Sequence, residues 1–444
     1  MHQIRQAVEE NRPAQLKLLM EMGLGDCIRK DPDLDLLHIA AERDYWQCAD
    51  ILLCLGIDPD IEKLYPQSTP LHKAAENNSV RTARVLVRHG ADLNALDTDK
   101  QTPLVTACAC NSLQTAEYLI RKSDKLPQRI KNKGLYAAAQ NNAVNTAEFM
   151  IRNGADVNSE TGGKYPLYQA IFQNNPDTAK LLIRYKADVN ARNTLDNGTP
   201  LHAAIEAGNM EMVKELVRWG AQVNATDSRR MSALFYAAKQ NNAEMLCFLI
   251  HSGALIRSKS DTNLEPVHFA TGKESVDILT ANGADVNTAD QSGETPLHFG
   301  VQCRNQEAVQ AFLDHGANPN AQTGLGESPL HEAAFNGEEK IVLQLIRGGA
   351  DVNIRNSQGW TPLHKAAVND YSRTVSVLLR NGAEPAAENE TGETPLDRAR
   401  SNRNRRVVKL LERRINRKRK RGAKKVTEKT TQMTREAQRR TALF

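Results

Sequence analysis

A chain of 444 residues that is 40% hydrophobic but only 5% aromatic can form several globules or one extended array, and must pack thin layers of small and aliphatic side chains. Its seven cysteines, at 27, 48, 54, 108, 110, 247 and 303, form no pair of C-x-x-C clusters, so neither a zinc ribbon nor a disulfide framework is indicated and reduced thiols are expected. The net charge of +5 hides a split: nineteen Lys/Arg against three Glu give residues 398–444 a charge of +16, leaving −11 on an acidic body.

The first stretch, "MHQIRQAVEENRPAQLKLL", is charged and amphipathic, so no secretory signal is expected. Nowhere do 18 apolar residues follow one another, so no helical membrane span is expected either. From Leu37 onward the sequence repeats itself. Leu37, Leu71, Leu104, Leu135, Leu167, Leu201, Leu234, Val267, Leu297, Leu330, Leu363 and Leu396 recur at steps of 30 to 34 residues. A second signature follows in phase, including "GADLN" 90–94, "GADVN" 154–158, "GAQVN" 220–224 and "GADVN" 349–353.

Three places break the pattern. Residues 121–133, "RKSDKLPQRIKNK", put six basic residues where a hairpin is expected; they read as a degenerate solvated hairpin or as a loop that docks an acidic partner. The hairpins at 227–231 ("DSRRM") and 257–264 ("RSKSDTNL") are basic, and the second lacks the usual glycine. The unit that starts near Glu265 is three residues short around "FATGKES", about one helical turn, as a tolerated deletion or a functional bend.

The chemistry of one unit is plain in residues 361–394. Thr361 suits an N-cap and Pro362 the first helical position, where its missing N–H costs nothing. Leu363, Ala366 and Ala367 predict a small apolar face, and Val375, Val377, Leu378 and Leu379 a second amphipathic helix. Gly382 suits a left-handed C-cap, and "ENETGE" a short hairpin. The unit is helix, turn, helix, hairpin.

The T-P-L-H-x-A-A string, the apolar second helix and the G-A-D-x-N ending resemble the ankyrin repeat, over about thirteen units. The resemblance implies an all-α ankyrin-repeat solenoid of stacked units in an elongated curved array over 1–416. Residues 1–34 and 394–416 are expected to be its atypical capping units, and 417–444 a basic, disordered tail. Seven histidines (38, 72, 202, 268, 298, 331, 364) share one position per repeat. The resemblance implies that they tie hairpins together. Spaced about 10 Å apart, they cannot converge on a zinc ion, whose bonds to nitrogen are about 2.0 Å.

The family grips partners through hairpin tips and the exposed ends of inner helices. On this chain that implies Lys164, Phe172, Ile205, Glu206, Ser228, Arg229, Met231, Lys239, Gln240, Leu264, Phe335 and Trp360, with Phe172, Phe335 and Trp360 as aromatic anchors or as packing against the next repeat. It also implies that Asn190, Asn287 and Asn353, each with a leucine eight residues upstream, suit asparagine hydroxylation. Arg405–Arg406 followed by Lys418, Arg419, Lys420 and Arg421 has the layout of a bipartite import signal, to be read by an import receptor. Nucleic acid is a less favoured partner for 398–440, since no aromatic is interleaved there.

No P-loop, G-x-S-x-G or H-E-x-x-H appears, so neither catalysis nor a cofactor is expected. The expectation is a non-enzymatic scaffold or adaptor for partner proteins, in the nucleus or cytoplasm. The alternatives are a secreted bacterial or viral effector that captures a host protein, and a ubiquitin-ligase adaptor, for which no docking segment is evident.

Overall fold

Threonine or serine ahead of proline starts most of the inner helices. Thr69, Thr199, Thr295, Ser328 and Thr361 hold extended backbone, the following proline takes the first helical position, and the histidine at the third reaches back to the cap. Pairs of buried alanines such as Ala203–Ala204, Ala333–Ala334 and Ala366–Ala367 let neighbouring helices approach closely. A residue in left-handed backbone then ends the turn between the two helices; Asn78, Asn142, Asn241 and Asp370 have φ between 51° and 57°.

That turn residue also couples repeats. The Asn78 side-chain oxygen accepts from the Thr115 backbone N–H (3.1 Å), and Asn142 and Asn241 do the same for Thr178 (3.3 Å) and Ser275 (3.1 Å). Each acceptor meets an otherwise free donor at the start of the next outer helix.

The computed structural model describes residues 2–24, 35–62, 67–123 and 125–417. Two units divide the chain, Met1–Ser228 and Arg229–Phe444. Among the described residues the first unit contains seven helix pairs, from His2–Glu9 with Pro13–Leu19 to Pro200–Glu206 with Met210–Arg218. The second contains six, from Ala233–Lys239 with Ala243–His251 to Pro395–Ser401 with a helix over 405–417. Each unit is an all-α solenoid, its core a continuous seam of buried leucine, valine and alanine. No described helix is long and apolar enough to cross a membrane.

Hairpins close on one recurring bond, such as Asp97 N–H to Gln101 O (3.0 Å), Asp290 N–H to Glu294 O (2.9 Å) and Asn356 N–H to Trp360 O (2.9 Å). Neighbouring hairpins are joined by a single backbone bond, as in Thr194 N–H to Gly163 O (2.8 Å) and Ser357 N–H to Leu325 O (3.1 Å). The glycine-free hairpin at 257–264 keeps the same turn, because Asn263 adopts φ 67° where the later copies use Gly293, Gly326, Gly359 and Gly392.

Two of the irregular places have definite structures. The basic stretch is only partly a loop: residues from Gln128 join a thirteen-residue helix, Gln128–Gln140, in place of a hairpin. In the short unit the inner helix shrinks to a 3-10 turn, Pro266–Phe269, followed by the outer helix Lys273–Ala281. The missing residues therefore come from the inner helix alone.

Candidate protein-binding surface

Each repeat histidine is buried and structural. The Thr361 backbone N–H donates to His364 Nδ1 (3.1 Å), and the other ring nitrogen meets Glu393 O of the next hairpin (3.1 Å). His331 makes the same pair with Ser328 N–H (3.1 Å) and Trp360 O (2.9 Å), and His72 with Thr69 N–H (3.3 Å) and Gln101 O (3.0 Å). Because Nδ1 accepts, the proton sits on Nε2 and the ring is neutral. Burial pushes the pKa of His72, His268, His331 and His364 down, and that of His298 to about 4. The histidines are one-per-repeat clasps and do not gather around one point.

The candidate binding residues fall into two registers. One is the fourth residue after the repeat-histidine position, filled by Phe172, Glu206, Lys239 and Phe335, all exposed; it ends the inner helix in the first three and lies one residue before the helix end, Asn336, in the fourth. Phe172 and Phe335, one in each unit, are both 45% exposed. Phe172 lies on Tyr168 with ring centroids 6.2 Å apart, and the Lys164 ammonium sits 4.4 Å from its ring centre. Gln240 is exposed just beyond Lys239.

The other register is the residue before the N-cap, whose carbonyl receives the histidine of the preceding repeat. Here the sequence expectation needs correcting. Met231 is only 6% exposed, and Leu264 and Trp360 are half-buried. Trp360 lies between two cations, with Arg398 at 4.8 Å and Lys365 at 5.5 Å from its ring, and it contacts the His364 ring at 5.7 Å. It packs across its neighbour instead of standing free. Ile205 is also corrected: it is 0% exposed, because it aligns with buried Ile171 and Ala334, one step before the exposed position.

At the hairpin tips, Ser228 and Arg229 are exposed. Ser228 N–H donates to Asp196 O (2.8 Å), and the Arg229 guanidinium donates to the Tyr236 hydroxyl (2.9 Å). The sequence reading passed over Phe269 and Phe299. Both are half-buried at the residue after the repeat histidine. They stand 6.4 Å apart, and Phe269 is 5.8 Å from buried Phe235. The register of that position, shared with Tyr236, Glu332, Lys365 and Arg398, was the signal that could have found them.

Asn190, Asn287 and Asn353 use both ends of their amides. Asn353 donates to Gly382 O (3.2 Å) and accepts from Glu384 N–H (2.8 Å); Asn287 does so with Gly316 O (3.2 Å) and Asn318 N–H (2.7 Å), and Asn190 with Gly220 O (3.1 Å) and Gln222 N–H (2.8 Å). Arg405 and Arg406 are exposed in the first turn of the helix 405–417, whereas Lys418, Arg419, Lys420 and Arg421 lie outside the described residues.

Metal-ligand types converge among the described residues at Asp50, Cys54 and His89, within 4.8 Å of one another. His89 Nε2 is 3.0 Å from the Asp50 carboxylate. The same pairing recurs at His315 and Asp277 (2.7 Å), where the residue matching Cys54 is Ala281. The recurrence identifies the pair as a clasp between outer helices.

A profile of ankyrin repeats (3 copies) matches residues 37–131, 127–193, 167–260, 234–323, 267–356 and 330–420. The chain belongs to the ankyrin-repeat family. Among solved structures, this ankyrin-repeat chain is similar to the ankyrin repeat domain of Bcl-3, described as a unique member of the IkappaB protein family. Identity is 30%, the match covers 49% of this chain and 99% of that one, and the TM-score is 0.43. No curated protein matches the chain.

Proposed function

We propose that this ankyrin-repeat chain is a non-catalytic scaffold that holds partner proteins through the exposed ends of its inner helices and its hairpin tips. The observation that carries this reading is the shared position of Phe172 and Phe335. Each presents a half-exposed ring where the fold does not need one buried, and aromatic anchors of this kind supply most of the binding energy in protein interfaces. In the first unit the Lys164 ammonium sits beside the Phe172 ring, and Glu206 is an exposed charge at the same register as Phe172; in the second, Lys239 fills the register of Phe335.

The test compares partner recovery and affinity for Phe172→Ala, Phe335→Ala and Trp219→Ala. Trp219 is equally prominent, at 56% exposed, but follows an outer helix. Either phenylalanine variant should weaken a purified partner at least about tenfold, near 1.4 kcal/mol, and Trp219→Ala should not. Loss confined to Trp219→Ala would put the partner on the outer helices and end this reading.

For localisation, we propose import through Lys418–Arg421. Import receptors read extended basic segments, and Arg405–Arg406 are committed to a helix. Loss of nuclear signal on deleting 418–444, with partner recovery intact, is the expected result; retained nuclear signal overturns it.

A further inference from the structure

The helix 405–417 carries a stripe of cations that the fold does not use. Arg406, Lys409, Arg413 and Arg417 recur at steps of three and four residues, so they share one face. Val407 and Leu411, on the opposite side, are buried. With the outer helix Ser372–Arg380 this face walls a groove of about 510 Å³. Arg380 lines the other side, Leu379 and Leu410 contribute apolar atoms, and no carboxylate is among the described lining residues. Arg414 donates to Leu379 O (3.0 Å) at the same place. None of Arg380, Arg406, Lys409, Arg413 and Arg417 forms an ion pair with a described residue.

This arrangement opposes helix stability. Like charges at such spacing repel, and Arg405 and Arg406 place positive charge at the positive end of the helix dipole. An import receptor does not account for it, because cations fixed on a helix are not an extended peptide. An acidic protein fits poorly as well, since the groove offers no exposed aromatic anchor. Arginine in excess over lysine suits the bidentate recognition of phosphate.

We propose that this groove binds the phosphate backbone of a nucleic-acid duplex without reading its sequence. From Arg406 to Arg417 the helix rises about 16 Å. One strand presents a phosphate about every 3.4 Å of helix axis, so the stripe spans about five phosphates. The absence of aromatics from the lining agrees with backbone contact and not with stacking on unpaired bases. The proposal is independent of the protein-binding surface.

The test uses the full chain and a fluorescent 20-base-pair duplex DNA of arbitrary sequence, titrated between about 50 and 200 mM salt. Arg406→Glu with Arg413→Glu should lower affinity at least about tenfold and make the log–log salt slope shallower by about two, near 0.9 for each phosphate that is no longer neutralised. Lys424→Glu with Lys425→Glu makes the same charge change outside the described residues and should have a clearly smaller effect. Equal loss from the two double variants would show diffuse attraction and overturn the groove. So would poly-glutamate of matched charge that binds more tightly than duplex, which would assign the groove to an acidic protein. Circular dichroism checks the fold of each variant. Arg413→Gln with Arg417→Gln, at exposed positions, replaces the first pair if it fails to fold, and should also flatten the slope by about two.

Discussion

His331 is fully buried and bonded at both ring nitrogens, to Ser328 within its own repeat and to Trp360 O in the next. Replacing it with phenylalanine keeps the bulk but leaves the Ser328 N–H without a partner and Trp360 O with only its hairpin bond from Asn356 N–H. The expected cost is about 1–3 kcal/mol for the N–H left unpaired, read as a lower denaturation midpoint with an unchanged slope. The same bonding gives a pH dependence. Protonation would place an N–H at Nδ1 against the backbone N–H it now accepts from, and burial already disfavours the charge. His72, His268, His298, His331 and His364 all have folded values below the ordinary 6.5 or so. The stability they confer is complete above about pH 6.5 and is lost as pH falls toward about 4, the value for His298. Thermal midpoints measured across that window should fall steadily. A flat profile would mean that the rings tolerate charge where they sit.

At the scale of elements, the helix Gln128–Gln140 shows one device substituting for another. In regular repeats one asparagine spans two backbone groups of the next hairpin, as Asn190 does with Gly220 O and Gln222 N–H. Here Gln128 donates to Gly154 O (2.8 Å) and the Asn132 side-chain oxygen accepts from Asp156 N–H (3.0 Å). Two side chains one helical turn apart reproduce the pair of bonds. Gln128→Ala with Asn132→Ala should therefore raise amide exchange around 154–158 and leave 220–224, which are served by Asn190, unchanged. Period, caps and histidines made the helices legible, because those signals are local and every repeat restates them. This clasp was not legible, since it depends on which helical face Gln128 and Asn132 share. Nor was the burial of Ile205 and Met231. One step along a helix separates a core position from an exposed one, so Ile205 is sealed while Glu206 is open. Which of its two readings Trp360 takes was not legible for a related reason: Lys365 lies five residues on, but Arg398 belongs to the next repeat, and only the stack brings it onto the ring.

Across the whole molecule, a stack of repeats has stability that sums over individual units and their nearest-neighbour interfaces. It opens where that sum is smallest, and within the unit from Arg229 onward one repeat is marked out. Its inner segment is the four-residue 3-10 turn Pro266–Phe269, while the two repeats that follow have helices of seven and eight residues, Pro296–Gln302 and Pro329–Asn336. A 3-10 turn has poorer hydrogen-bond geometry. His268 Nε2 is buried and has no partner among the described residues, unlike its counterparts in His298, His331 and His364. The N-cap there is a fully buried Glu265, whose charge is met by Arg257 (3.4 Å) and the Thr288 hydroxyl (3.0 Å). The edge-to-face contacts of Phe269 with Phe235 and of His268 with Phe299 oppose opening, but they are worth only about 0.5–1.5 kcal/mol each beyond area. Amides of 267–281 should therefore exchange through sub-global opening, ahead of those in 297–314 and 330–347. Uniform protection across the three repeats would mean that the aromatic contacts offset the lost helical turn.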